Sequence, residues 1–373
     1  MGMVGGGEGA FIGAVHRHAA LLDGGIELVC GTFSADPDKS RRSGSALGLP
    51  QERVYGSYAE MMRVESAMDP SVRMQFVAIV TPNHLHYPVA DCALEHGFHV
   101  LCDKPATLNL AEAIHLKERV AATRLQFGLT HTYLGYPLVQ EARSRIAAGS
   151  LGAIRKVLVQ YSQGWLAKPL EQTDNKQAKW RLDPAQAGLS SCMGDIGVHA
   201  FNLAEYISGL QVTQICADLT SFVDGRNLDD DGSVLLRFDN GAKGVLTASQ
   251  VSVGEENGLA IQIYGDKAGL KWSQQEPNTL WFLPEGEPVQ MLRTGGDYLS
   301  STAGALTRTP MGHPEGYIEA FANLYKDFAA QVAAPSSGTP SICPGIEAGC
   351  RGMAFIELTV TSSQSDIKWH DLV

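Results

Sequence analysis

The spacing of apolar positions changes about a third of the way along this chain, and the change divides it in two. In the first part, short unbroken apolar runs at 3–4, 26–30, 76–80, 100–101 and 125–129 read as strands. Between them, apolar residues recurring every three or four positions predict helices through Leu22 and over 55–62, 89–96 and 108–120. Strands apolar throughout are covered on both faces. Alternating with helices, they predict a parallel, doubly wound sheet with right-handed crossovers. Beyond residue 128 the pattern changes. Helices are predicted over 137–148, 313–332 and 348–363, and strands over 154–161, 212–219, 232–238, 242–250 and 259–264. Asp239-Asn240-Gly241 is a hairpin signal, and 265–269 reads as another turn before Leu270-Lys271-Trp272. The prediction is an α/β Rossmann domain over 1–128, then an α+β domain over 129–373 with a large, mostly antiparallel open sheet. Residues 335–345 read as a loop-like connection and 367–369 as a short end segment.

Composition narrows the class. The chain has 373 residues, 44% of them hydrophobic, enough for two cores. A net charge of −11 spread along the chain argues against nucleic acid as a partner. No apolar run approaches the roughly 20 residues that span a membrane. The first residues lack a signal-peptide pattern, and Gly6 stands where myristoylation needs Ser or Thr. The 7 cysteines form no CxxC pair and read as reduced thiols, so a cytoplasmic protein is expected.

Candidate chemistry lies at the ends of the predicted strands. Gly5-x-Gly7-x-x-Ala10, with Gly9, opens the first helix at Phe11-Ile12. Such a loop allows a tight turn, close approach of a pyrophosphate, and donors from the helix N-terminus. After the second strand, an acid for the ribose is absent from the strand end; Ser34, Asp36, Lys39, Arg41 and Arg42 follow instead. Asp36 is within reach of a ribose and the cations leave room for a 2′-phosphate, so the expected cofactor is NAD(P). Thr81-Pro82-Asn83 and His86 leave the third strand. His84 and His86 lack a third ligand nearby, so they are expected to line the crevice, with no metal. Asp103-Lys104-Pro105 follows the fourth strand, where an open α/β sheet places its ligand and a lysine can exchange protons.

In the second part, a small-residue loop at 188–194 leads into Asp195-Ile196-Gly197-Val198-His199. Four apart on a helix, Asp195 and His199 would share a face, the acid orienting an imidazole suited to general acid/base work. From this pair alone, a helix cap plus a core histidine is the better reading. His131, Tyr133, Gln163, Trp165, Trp180 and Arg181 offer the aromatic, amide and cationic groups that suit a ring bearing hydroxyls.

Taken together, Gly5-x-Gly7-x-x-Ala10, Thr81-Pro82-Asn83-x-x-His86, Asp103-Lys104-Pro105 and Asp195-x-Gly197-x-His199 resemble the glucose–fructose oxidoreductase/inositol dehydrogenase (Gfo/Idh/MocA) family. Members usually carry Glu-Lys-Pro where this chain has Asp103-Lys104-Pro105, and more glycine than Leu189-Ser190-Ser191-Cys192-Met193. The resemblance implies an NAD(P)-dependent dehydrogenase in which Lys104, Asp195 and His199 act together. It also implies a small-molecule substrate, oxidised at a secondary alcohol of a sugar, anhydrosugar or cyclic polyol, and a homodimer or homotetramer built through the large sheet. A looser similarity is to the levoglucosan dehydrogenase branch. Two other readings stay open: a bound-NAD glycosidase or epimerase working through a transient keto-sugar, and a non-catalytic NAD(P) sensor, which would need the glycine loop but not Lys104, Asp195 and His199.

Overall fold

A computed structural model describes residues 1–335 and 341–372, so the middle of the expected connection at 335–345 lies outside the described residues. The chain forms two compact units, Met1–Thr132 with Phe321–Met353, and Tyr133–Ala320 with the residues from Ala354 on.

The first unit is a parallel sheet between helices. Its elements are β1 (Gly2–Gly5), α1 (Phe11–Leu21), β2 (Cys30–Thr32), α2 (Pro37–Ala46), α3 (Tyr58–Ser66), β3 (Phe76–Val80), α4 (His86–Glu95), β4 (His99–Cys102), α5 (Leu110–Thr123) and β5 (Phe127–Leu129). The strand order β2-β1-β3-β4-β5 is parallel throughout. Every residue of β3 is buried, as its unbroken apolar run predicts for a strand covered on both faces. Local chemistry sets the helix starts. Asp36 Oδ1 accepts from Asp38 N (2.9 Å) and Lys39 N (3.3 Å) ahead of Pro37, and Asn109 Oδ1 accepts from Glu112 N (2.9 Å). One strand lies elsewhere than expected: β2 is Cys30–Thr32, not 26–30. The register Gly2↔Cys30 starts the ladder at Cys30, and 26–29 meet Met1, whose N donates to Glu27 O (2.6 Å) and whose O accepts from Val29 N (3.0 Å).

The second unit holds α6 (Pro137–Ala147), β6 (Lys156–Ser162), α7 (Lys176–Arg181), α8 (Pro184–Ala187), α9 (Val198–Ser208), β7 (Val212–Thr220), β8 (Asp231–Phe238), β9 (Lys243–Ser249), β10 (Gly258–Tyr264), β11 (Ala268–Ser273), β12 (Thr279–Pro284), β13 (Gln290–Arg293) and α10 (Ser301–Ala305). Two long helices, α11 (Tyr317–Ala333) and α12 (Ile346–Ser363), and a short β14 (His370–Asp371) complete the chain. The nine-stranded sheet runs β13-β12-β11-β10-β6-β9-β8-β7-β14 and is antiparallel except between β6 and β9. Asn240 Oδ1 accepts from Ala242 N (2.9 Å) and Gly241 sits at φ +87° in the β8–β9 hairpin, where the sequence places it. β12 and β13 carry no turn signal strong enough to read beforehand.

The expected division put everything after 128 in one domain. Phe321–Met353 belongs instead to the first unit. Phe328 meets Phe76 edge-on at 5.3 Å, Leu129 N donates to Pro344 O (2.7 Å), and Ile346 joins the core of β3, β4 and α4. Apolar periodicity marks these helices but not the sheet they cover.

Candidate active site

Register brings the first unit's candidates to one edge of its sheet. Gly5 pairs with Val80, Ile79 with Cys102, and Cys102 with Leu129. The glycine loop, Thr81–Asn83, Asp103-Lys104 and Thr130-His131 therefore all leave the carboxyl edge of parallel strands. Gly7 N donates to Phe33 O (3.2 Å), Glu8 N to Ser43 Oγ (3.1 Å), and Arg17 Nη1 to Gly6 O (2.7 Å). A Cβ on Gly7 would stand 2.6 Å from Phe33 O, so no side chain fits between the loop and the end of β2. Ala10, the residue ahead of α1, provides no side-chain cap, and the first turn carries no acid. Its N–H groups are thus presented to an incoming anion. Gly9, at φ +78°, has open space around it, while Phe11 is 70% exposed beside Ile12. These residues fit the pyrophosphate of a dinucleotide. The small residue that lets helix meet strand is Gly13 rather than Ala10: a Cβ there would lie 2.3 Å from Gly6 Cα.

Several other candidates on this edge make contacts within the protein. Asp36 caps α2, Ser34 Oγ accepts from Asp36 N (3.2 Å), and Lys39 is half-buried on α2. Ser40, read over by the sequence analysis, accepts from Phe33 N (3.0 Å) and donates to Tyr55 O (3.0 Å). His86 is buried, with Nδ1 2.7 Å from Pro105 O and Nε2 2.9 Å from Thr81 O; both ring nitrogens hold loops together rather than lining a crevice. Asn83 is buried, and Thr81 and Pro82 are half-buried. Asp103 Oδ1 accepts from Lys104 N (2.9 Å) and Thr130 Oγ1 (3.0 Å), and its Oδ2 lies 3.9 Å from His16 Nε2. Asp103 is thus a loop anchor. Lys104, half-buried, precedes Pro105 across a cis peptide. Burial, reinforced by the Lys104 cation, depresses buried His131 to about 3, so its ring is neutral. Among the described residues, no group of three or more His, Cys, Asp or Glu is arranged to hold a metal ion.

The second unit assembles its candidates from scattered positions. Met193–Gly197 is a π-helical turn, so Asp195 lies just outside α9 and His199 is its second residue. The pair therefore spans the junction of a π-helical turn and α9 rather than lying within one α-helix. Asp229 ties down the approach to this turn. Its carboxylate accepts from Ser190 Oγ (3.0 Å), Ser191 N (3.0 Å) and Met193 N (2.9 Å). Asp195 Oδ2 accepts from Arg181 Nε (3.0 Å) and Gln250 Nε2 (2.9 Å). Arg181 lies over Trp180 (4.3 Å) and Trp165 (5.9 Å), and its Nη1 donates to Gln177 Oε1 (2.7 Å).

Half-buried His199 meets the Tyr133 ring edge-to-face at 5.0 Å and 80°, with Tyr161 at 6.3 Å. The Tyr133 and Tyr161 hydroxyls bond each other. Tyr161 OH and Gln163 Nε2 both donate to Asn257 Oδ1 (2.7 and 2.8 Å), and Trp165 Nε1 donates to Gln163 Oε1 (3.0 Å). Burial pushes both phenols upward, so they stay protonated, while their rings pack against the histidine. Buried Tyr133 is thus a wall of the cluster, not an exposed hydroxyl. Asn257, Gln250, Asp229 and Tyr161 escaped the sequence analysis. Asp229 stands in Asp229-Asp230-Asp231, which reads as a solvated turn, and the amides follow ordinary strands and loops.

Two family models match the chain: the oxidoreductase family with NAD-binding Rossmann fold over residues 1–131, and the GFO/IDH/MocA C-terminal domain over 139–271. An uncharacterised oxidoreductase, YfiI, of Bacillus subtilis (strain 168) is 34% identical over 98% of this chain and 95% of its own length. A levoglucosan dehydrogenase of Pseudarthrobacter phenanthrenivorans is 25% identical over 82% of this chain and 81% of its own. Among solved structures, an inositol dehydrogenase homolog from Azotobacter vinelandii complexed with NAD+ is 37% identical. It covers 99% of this chain and 96% of that one, with a TM-score of 0.95. The same homolog complexed with NADH and myo-inositol gives 36% identity, the same coverage and a TM-score of 0.92. No helix among the described residues is long and apolar enough to cross a membrane. The matched models, the identity sustained over nearly the full length, and the glycine loop at the head of α1 agree: this chain is an NAD-binding oxidoreductase of the Gfo/Idh/MocA family.

Proposed function

We propose that the protein is an NAD-dependent dehydrogenase acting on a secondary alcohol of a neutral cyclic polyol, sugar or anhydrosugar. The carrying observation is the setting of His199, supported by Tyr133 beside a carboxylate, Asp195, that is itself held by Arg181 and Gln250. In that setting the His199 imidazole takes up the hydroxyl proton as the alcohol is oxidised. Lys104 is the second acid/base group, its loop held by Asp103 and Thr130. Gly5, Gly7, Gly9 and the N-terminus of α1 hold the pyrophosphate, with Ser34 and Lys39 on the ribose side. When bound, NAD supplies the hydride acceptor.

Charge favours a neutral substrate. The cation of the second unit's cluster, Arg181, is matched by Asp195, and the neighbouring groups are amides, phenols and indoles. Such a cluster carries no net positive charge to select a phosphate or carboxylate. The relative crystallised with myo-inositol supports the polyol class. A homo-oligomer formed through the large sheet belongs to the same proposal. Register aligns one outward row from Leu235 through Val245 and Leu158 to Trp281 and Met291. Leu235, Trp281 and Met291 are 44%, 43% and 51% exposed, and sedimentation at micromolar protein tests this part.

The deciding assay follows reduced-nicotinamide absorbance with NAD across inositols, sugars, anhydrosugars and their phosphates. A signal growing with a neutral polyol, and lost in His199→Ala and Lys104→Ala, is expected. Absence of signal with every substrate, while NAD binding is measurable, would sink the reading.

A further inference from the structure

We propose that Arg181 and Gln250 are positioning residues that together set the Asp195 carboxylate, and that the indole-bearing segment around α7 acts on the reaction through this clamp. The proposal rests on the dehydrogenase reading of Asp195 and His199.

Both donors converge on one oxygen. Arg181 Nε and Gln250 Nε2 reach Asp195 Oδ2 at 3.0 and 2.9 Å from elements 69 positions apart in the chain (250 − 181). Each donor is itself fixed. The guanidinium of Arg181 is held by Gln177 Oε1 at 2.7 Å and lies over the Trp180 ring at 4.3 Å. The Gln250 backbone is anchored on both sides, its N donating to Asp230 O (2.8 Å) and its O accepting from Leu166 N (3.0 Å). Asp195 itself stands in a π-helical turn between Gly194 and Gly197.

A second observation separates this from ordinary packing. Gln250 is fully buried, and among the described residues its Oε1 has no hydrogen-bond partner. A buried acceptor left unpaired destabilises a fold. An apolar side chain of the same shape would avoid that loss, so the amide's contribution lies in what its Nε2 does at Asp195. The carboxylate oxygen is thereby committed to the protein as an acceptor, and the acid orients without donating a proton.

The clamp joins recognition to chemistry. Trp165 and Trp180 flank the guanidinium that holds the acid, so a substrate ring packing on either indole acts on Asp195 through Arg181. Lysine in place of Arg181 keeps the charge but loses the planar fork, so it restores only part of the effect.

The test measures kcat, KM for polyol and NAD, and Tm in Gln250→Met, Arg181→Ala and Arg181→Lys, with His199→Ala as the control. Positioning gives a kcat about 10-fold lower in Gln250→Met with Tm unchanged or raised, since the unpaired acceptor is gone. In Arg181→Ala kcat falls about 100-fold with KM for NAD near normal. Low-millimolar methylguanidine restores part of that loss, and Arg181→Lys lies between. Wild-type kcat in Gln250→Met and Arg181→Ala, or a kcat that falls only in step with Tm and is not rescued, overturns the clamp. Near-wild-type turnover in His199→Ala overturns the dehydrogenase reading beneath it, and with it the clamp's part in catalysis.

Discussion

The two units build their candidate chemistry from different materials. The first presents backbone: a loop of glycines, the N–H groups at the head of α1, and main-chain groups pinned by Arg17, Ser40 and Ser43. The second presents side chains gathered from 133, 161, 163, 181, 195, 199, 250 and 257 into two hydrogen-bonded clusters. A backbone cradle recognises what all dinucleotides share, and it tolerates variation wherever only the main chain is used. A side-chain cluster recognises one substrate class, and every member depends on the others. Binding of cofactor and chemistry on substrate are therefore expected to be separable by mutation.

The sharpest separation comes from His199→Ala. Turnover should fall about 1000-fold, as for loss of a general base, while NAD affinity in a binding titration stays within a factor of about two. Equal loss of both would break the contrast. Gly7→Val should do the reverse, its Cβ driven against Phe33 O. NAD affinity is expected to drop about 100-fold, roughly 2.7 kcal/mol, with kcat at saturating NAD little changed. Asp229→Asn tests whether the second unit's cluster behaves as one body. An amide cannot accept on both sides, so a donor at Ser191 N or in the Ser190–Met193 pair loses its partner, at a cost of about 1–3 kcal/mol. Here kcat should fall about 10-fold, without effect on NAD binding.

The smallest effect near neutrality concerns pH. His16 is depressed to about 4 and His131 to about 3, chiefly by burial, with Asp103 opposing in both. Both are neutral when folded, whereas the unfolded chain takes up their protons below about 6.5. Folding stability is thus intact above that pH and declines as pH falls toward 4, by up to about 1.4 kcal/mol per pH unit for each histidine. His16→Gln should flatten the fall of Tm between pH 6.5 and 4 by one proton's worth. An unchanged slope would mean that His16 does not bind its proton on unfolding.

What could be read from the chain alone is what local interactions decide. The parallel strands of the first unit carry their burial in unbroken apolar runs, β3 most plainly, and the glycine loop must sit where a strand passes into a helix. The β8–β9 hairpin is written in Asp239-Asn240-Gly241, because a tight turn is chosen by its own few residues. Asp195 and His199 stood out for the same reason, being neighbours in sequence. Only the tertiary structure decided what surrounds them. The approach to the turn holding Asp195 is tied to Asp229, 34 positions later (229 − 195). That Arg181 faces an acid, His86 holds two loops, and Phe321–Met353 covers the first unit's sheet all depend on distant partners. Propensity and periodicity act over a turn or a strand. A buried hydrogen bond between residues far apart in the chain exists only once the fold has brought both to one place.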